Sequence, residues 1–258
     1  MHQEANSLPF LEVGISTLNE GLYKISFNND FDYLVIHQVT DGNDYDHYKV
    51  NLPKNVRYIR SDSKGLSKSR NLALANAKAK YLWIMDDDVK LVSQAKRIIV
   101  DLISSNSDCG LYVMSHSDCY SNFSHEFKSS SIGFFDSFKV SSIDMIIDVE
   151  KLKGIEFDEE FGLGTEYPSG EEFIFTNSVL KRGIVARKYQ IIASIHPPEA
   201  SGLDYYSTPN KLRAKLLMLV KVSGRTLGAG LYLLFLLKKM PELIRNRALI
   251  NVFKSFLG

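Results

Sequence analysis

Five apolar residues, Tyr81 to Met85, run directly into three consecutive acids, Asp86, Asp87 and Asp88. The apolar stretch has the length and character of a strand buried on both faces. Carboxylates are costly to bury, so the strand must stop where they begin, and the acids must lie at the mouth of a sheet. That junction restricts the chain to folds in which a strand opens its end onto a site. Hard divalent cations such as Mg²⁺ or Mn²⁺ suit such a cluster, because they take one or two carboxylates together with substrate phosphates. A solvated acidic turn or a calcium loop gives the same local sequence, so the surroundings must decide.

The surroundings alternate short apolar runs with helical patterns. Leu11 to Ser16, Tyr33 to Ile36, Val56 to Ile59, Tyr81 to Met85 and Gly110 to Met114 read as strands. Ser67 to Lys80 and Ser93 to Ser104 read as helices, with Ser67 and Ser93 at the N-cap positions. This rhythm predicts an α/β fold with a mostly parallel central sheet flanked by helices. In such sheets ligands bind outside the carboxyl ends of strands, where the strand order switches, and the aspartates stand at one such end. At 258 residues the chain has ample length for a sizeable core.

Farther along, Ser115 to Ser131 reads as a polar loop. Phe138 to Ile147 fits a strand, and Asp148 to Lys153 a short helix. A glycine-rich, acidic loop from Phe157 to Gly170 precedes a helix from Glu171 to Arg182, closed by Gly183. An apolar strand pattern, Ile184 to Ile195, then leads to His196-Pro197-Pro198.

The near-neutral total charge hides an asymmetry. From Lys211 onward there are ten Lys or Arg and one acid, Glu242, whereas the first 210 residues hold 21 bases and 29 acids. Residues 1–210 therefore read as a mildly acidic body and 211–258 as a basic, apolar helical extension, broken by Gly224, Gly228, Gly230 and Pro241. Such a tail points to an anionic surface. Basic residues at the edges of apolar helical stretches fit an in-plane helix on an anionic membrane leaflet, so membrane and not nucleic acid is the expected partner. A helical subdomain packed on the core, or a contact between copies, would use the same pattern; the oligomeric state is left open. Met1 to Pro9 lacks the apolar centre of a signal peptide, and no apolar run reaches the ~20 residues of a spanning helix. Cys109 and Cys119 lack redox-motif spacing, so reduced thiols are expected. The expected location is cytoplasmic, peripheral on the inner face of the cell membrane.

Five segments in order carry a resemblance. They are Ile15-Ser16-Thr17-Leu18-Asn19-Glu20, Gly65-Leu66-Ser67-Lys68-Ser69-Arg70-Asn71, Met85-Asp86-Asp87-Asp88, Phe157-Asp158-Glu159-Glu160-Phe161-Gly162 and Gly170-Glu171-Glu172. Over roughly residues 10 to 200 the chain resembles the family 2 glycosyltransferases, inverting enzymes with the Rossmann-like GT-A fold. The resemblance implies a nucleotide-diphosphate sugar donor, expected to be a UDP-sugar. It implies a hydroxyl acceptor on a glycan or lipid-linked molecule, in cell-surface polysaccharide synthesis.

The resemblance also implies roles for residues. Asp88 is the main metal contact for Mn²⁺ or Mg²⁺. Asp86 faces the ribose or a metal-bound water, and His196 resembles the late histidine that many such enzymes use as a metal or diphosphate ligand. Asp87, the middle position, belongs with the nucleotide-side residues, although strand alternation turns its side chain away. Thr17, Asn19, Glu20, Gly65 and Arg70 match donor-binding positions. The family's Asp pair after the second strand is replaced by His37-Gln38, where Gln38 offers a donor and an acceptor to a base edge. An acceptor hydroxyl needs a base; Glu172 is the expected one and Glu171 the alternative. Two acids at a helix start also favour its dipole without any catalytic duty. A catalytically inactive, glycosyltransferase-like scaffold, or a haloacid-dehalogenase-type phosphatase using Asp86-x-Asp88, are the competing readings.

Overall fold

The computed structural model describes residues 10–92, 94–119, 128–196 and 204–257. The Ser93 cap, the Met1–Pro9 segment and the stretch just after His196 lie outside these residues.

The elements are β1 (Leu11–Leu18), a 3₁₀ turn (Asn19–Lys24), β2 (Asp32–Gln38), α1 (Asp46–Val50), β3 (Val56–Ser61) and α2 (Leu66–Asn76). Then come β4 (Tyr81–Asp86), β5 (Lys90–Leu91), α3 (Ala95–Ser105), β6 (Leu111–Ser117), β7 (Ser129–Ser131) and β8 (Met145–Asp148). The chain ends with α4 (Glu171–Lys181), β9 (Ala186–Ile195), α5 (Pro209–Ser223), α6 (Arg225–Arg245) and α7 (Leu249–Ser255). The sheet order is β3-β2-β1-β4-β8-β6-β9-β5, with β7 on β9. β3, β2, β1 and β4 are mutually parallel. Beyond them β8 runs antiparallel to both β4 and β6, so this half of the sheet is mixed.

β4 explains why an unbroken apolar run was needed. Its side chains alternate between two cores: Tyr81, Trp83 and Met85 enter one, Leu82 and Ile84 the other. α3 covers the first face through Ile98, Ile99 and Leu102, while α2 and α4 cover the second through Ala73, Phe175 and Val179. Because β1 sits between β2 and β4, the strand order reverses there, and Ser16 lies in register with Asp86. The acids therefore emerge at the switch point.

Several expectations are corrected. Ser67 does not cap α2; Gly65 does, and Ser67 is the buried second residue of the helix, donating to the Phe161 carbonyl at 2.6 Å. Phe138–Ile147 is not one strand but two 3₁₀ turns leading into β8, and of Asp148–Lys153 the first residue ends that strand while the rest form turns. The polar loop contains the short strand β7. Of the four helix breakers in the extension, only Gly224 ends a helix, with φ +83°. Gly228 lies inside α6 because a Cβ there would come within 2.5 Å of the Val220 Cα, so its absence lets α5 and α6 touch backbone to backbone. Pro241 also lies within α6, on its exposed side, where solvent reaches the carbonyl left without a partner.

The extension has its own core of Leu212, Met218, Leu219, Tyr232, Leu236 and Leu243, continuous with Phe161, Phe173 and Ile174 of the body. Among the described residues no helix is long and apolar enough to cross a membrane.

Candidate active site

α2 and α4 share one face of the sheet, which brings two distant segments together at the strand ends. Arg70 of α2 is 1% exposed. Its guanidinium donates to Glu171 Oε1 at 3.1 Å, Asp86 Oδ1 at 3.3 Å and Ser142 Oγ at 2.6 Å, and stands 3.7 Å from Glu172 Oε1. It also lies over the Phe157 ring, which Asn71 fixes by bonding both the carbonyl and the N–H of Phe157. Burial opposes the arginine's charge, but Asp86, Glu172 and Glu171 together hold its pKa above the ordinary value. The Ser-Arg-Asn stretch is thus the knot that ties β4, α4 and the Phe157 loop.

The two glutamates differ. Glu171 is buried, and desolvation, then the neighbouring Glu172, push its pKa up to about 8 despite Arg70. Its Oε2 has no hydrogen-bond partner among the described residues. Glu172 keeps 23% side-chain exposure and lines a cavity of about 1020 Å³. At neutral pH Glu171 is therefore the member that holds a proton, and Glu172 is the one open to the cavity. Gly170 makes this helix start attainable: its φ is +113°, and a Cβ would press to 2.9 Å from the Met218 sulfur of α5.

The aspartates separate in direction. Asp86 faces the cavity beside Arg70; burial raises its pKa, Arg70 opposes this, and Glu172 and Asp88 reinforce it. Asp87 turns toward β1, accepting from Thr17 Oγ1 at 2.6 Å and packing where a side chain on Gly21 would have to stand. Asp88 Oδ1 lies 3.4 Å from His196 Nε2. His196 in turn meets His116 edge-on at 6.1 Å between ring centroids, and His116 Nδ1 pairs with Asp144 at 3.1 Å, which raises the His116 pKa. Among the described residues no three His, Cys, Asp or Glu side chains converge as a ready metal cage. Asp88 and His196 nevertheless offer a carboxylate oxygen and an imidazole nitrogen side by side, a pair suited to Mn²⁺ or Mg²⁺ when substrate phosphates complete the shell. Asp86 differs, since Arg70 already holds its Oδ1.

The residues after β1 and β2 interlock. Asn19, at φ +51°, accepts from the Thr40 N–H, and its own carbonyl accepts from His37 Nε2 at 2.9 Å. His37 Nδ1 accepts from the Tyr58 hydroxyl at 2.7 Å, and burial keeps this imidazole's pKa low. Gln38 spends its amide N–H on the Gly65 carbonyl at 3.1 Å. Gly65, at φ +125°, carries the start of α2, with the Leu66 N–H bound to the Leu163 carbonyl. Glu20 is exposed beside this rim.

Two residues escaped the sequence reading. Lys211 and Lys215 of α5 line the same cavity, Lys211 paired with Asp204 at 2.5 Å. Enclosure lowers the Lys215 pKa, partly offset by Glu172 and Glu171. Their i, i+4 spacing puts them on one face. That was visible in the sequence, but the basic excess of the extension was read as a surface property.

Comparisons with known proteins bear on the fold that carries this site. Residues 44–158 match the family model described as Glycosyl transferase family 2, a segment that contains Gly65–Asn71 and Met85–Asp88 and ends before α4. The crystal structure of S. aureus TarS 1-349 shares 16% identity at a TM-score of 0.57, over 86% of this chain and 68% of that one. The same TarS fragment in complex with UDP-GlcNAc shares 15% identity at 0.55, over 86% and 69%. A longer TarS structure gives 16% and 0.53, over 83% of this chain and 40% of that one. At these identities the likeness establishes the fold, which is GT-A and not that of a haloacid-dehalogenase phosphatase. A search of curated proteins finds no match to the sequence.

Proposed function

We infer that this chain, which matches the Glycosyl transferase family 2 model over residues 44–158 and folds as GT-A, moves a sugar from a nucleoside-diphosphate donor to an acceptor hydroxyl with inversion. The observation that carries this reading is the Arg70 knot, which places Asp86 at the switch-point cleft and the Glu171–Glu172 pair across one cavity.

The donor's nucleoside end lies against the rim built from Thr17, Asn19, Glu20, Gln38 and Gly65, with Asp86 and Asp87 beneath. A UDP-sugar fits this reading, since a solved relative by fold, TarS, holds UDP-GlcNAc. Asp88 and His196 would hold a divalent cation, which when bound neutralises negative charge on the diphosphate. Glu172 accepts the proton of the acceptor hydroxyl as its oxygen bonds to the anomeric carbon. The bond from that carbon to the diphosphate oxygen breaks on the opposite face, and the electron pair leaves with the nucleoside diphosphate. Glu171, keeping its proton, does not compete as a base, and Arg70 fixes the direction in which both carboxyls point. The acceptor is a glycan or a lipid-linked molecule, as in assembly of a cell-surface polysaccharide.

The test is a panel of nucleotide sugars scored by thermal stabilisation with Mn²⁺ and again with EDTA, followed by turnover of the stabilising donor. Stabilisation by one sugar nucleotide, lost on chelation, is expected. If no nucleotide sugar stabilises the protein under either condition, the reading fails.

A further inference from the structure

The extension does not behave as one amphipathic unit. α5 turns inward, walling the cavity with Lys211, Lys215 and Met218 and packing on α4. The outward face belongs to α6 and α7. Leu234, Leu237, Ile244, Ile250, Phe253 and Leu257 are each more than half exposed, at 57% to 68%. On a helical projection Leu227, Gly230, Leu234, Leu237, Pro241 and Ile244 fall within an arc of about 100°, opposite the buried Tyr232, Leu236 and Leu243. α7 adds Phe253, with Phe256 just past its end, and is fixed to α6 by the buried bond between the Tyr232 hydroxyl and Ser255 Oγ at 3.0 Å. Exposed apolar side chains on this scale mark a contact surface.

Charge identifies what covers it. Arg225, Lys238, Arg245, Arg247 and Lys254 are exposed in the same two helices and the turn between them. The single acid of this segment, Glu242, is engaged by Lys239 at 2.9 Å. Lys238 and Arg245 border the apolar arc on one side. An apolar strip edged by an excess of cations is complementary to an acyl layer under anionic headgroups. A second copy of the chain would bring like charges together along this edge.

We propose that the outer face of α6 and α7 docks in the plane of an anionic lipid leaflet, with the leucine and phenylalanine side chains in the acyl boundary and the cations at headgroup level. α5 then stands between the bilayer-facing helix and the cavity. The inference stands apart from the transfer chemistry, because donor binding by the soluble chain does not depend on it.

Flotation of the full chain with vesicles of phosphatidylcholine alone, or with about one-third phosphatidylglycerol, tests it. Binding is expected only with the anionic vesicles. Leu234→Glu with Leu237→Glu should weaken it at least about tenfold, and Lys238→Glu with Arg245→Glu should do the same. Circular dichroism melting of each variant reports whether the fold is retained. Light scattering in solution reads the mass of the unliganded chain. The proposal is overturned if the wild-type chain does not float with anionic vesicles, or if well-folded variants float as well as it does. A dimer that Leu234→Glu with Leu237→Glu dissociates, in a chain that ignores vesicles, also overturns it. Loss of vesicle binding with an unaltered donor response separates this proposal from the transfer reading.

Discussion

At the scale of single residues, the difference between Glu171 and Glu172 makes the sharpest claims. Glu172→Gln should retain donor-dependent stabilisation and lower turnover by about 10²- to 10⁴-fold; equal loss in both readouts would mean a binding role instead. Glu171 gives a stability signature. Its folded pKa of about 8 lies above the ordinary carboxylate value, so its favourable contribution is complete in acid and is lost as pH climbs toward and through 8. Gln imitates the protonated form. Glu171→Gln should therefore melt close to wild type near pH 5 and above it at pH 9, and parallel melting curves across that range would refute the assignment. Asp88→Ala should weaken Mn²⁺-dependent donor stabilisation and cut transfer by at least about 10²-fold. Unchanged turnover would remove Asp88 from the site.

At the scale of elements, α4 and α5 act as a pair. Gly170→Ala forces a left-handed backbone on a side chain that also meets Met218. A loss of about 2 kcal/mol and a drop of roughly 5 °C in melting temperature should follow, readable by calorimetry. Lys215 approaches the glutamate pair from α5. Lys215→Met removes a charge that favours the ionised carboxylate, so the acid limb of the kcat/KM profile should move to higher pH. Lys215→Arg should restore it, and an unmoved limb in the Met variant would leave Lys215 as a wall residue only. The strands were legible because their apolar runs alternate between two cores, as in β4. α2 was harder to read. Its buried face carries Ser67, Ser69 and Arg70, so pattern alone suggested only a helix with a serine cap. The Phe138–Ile147 error has a similar origin: Ser142 and Asp144 are buried as partners of Arg70 and His116, a tertiary demand that overrides strand alternation.

At the scale of the whole molecule, the division near residue 210 marks a change of composition more than a boundary in space. Residues of the extension share a core with Phe161 and Phe173, and Lys221 pairs with Asp158 and with Glu160 at 2.9 Å to fasten the Phe157 loop. A chain ending before α5 should expose that core and lose both solubility and donor response, checked by sedimentation and thermal shift; a soluble, donor-responsive fragment would show the two parts to be independent. Charge counting found the extension's basic excess but could not divide it, because inward lysines and outward cations look alike in a list. The junction of β4 with its aspartates was legible from the start, since burying charge leaves so few places for it.

The guanidinium of Arg70 is divided among partners from β4, α4 and the turn holding Ser142. Asp86 or Arg70 replaced alone by a neutral residue leaves the other's charge poorly matched in a dry setting. Directed evolution of a new donor preference would therefore stall on single substitutions at Asp86 or Arg70 and advance only through libraries that vary those two positions together.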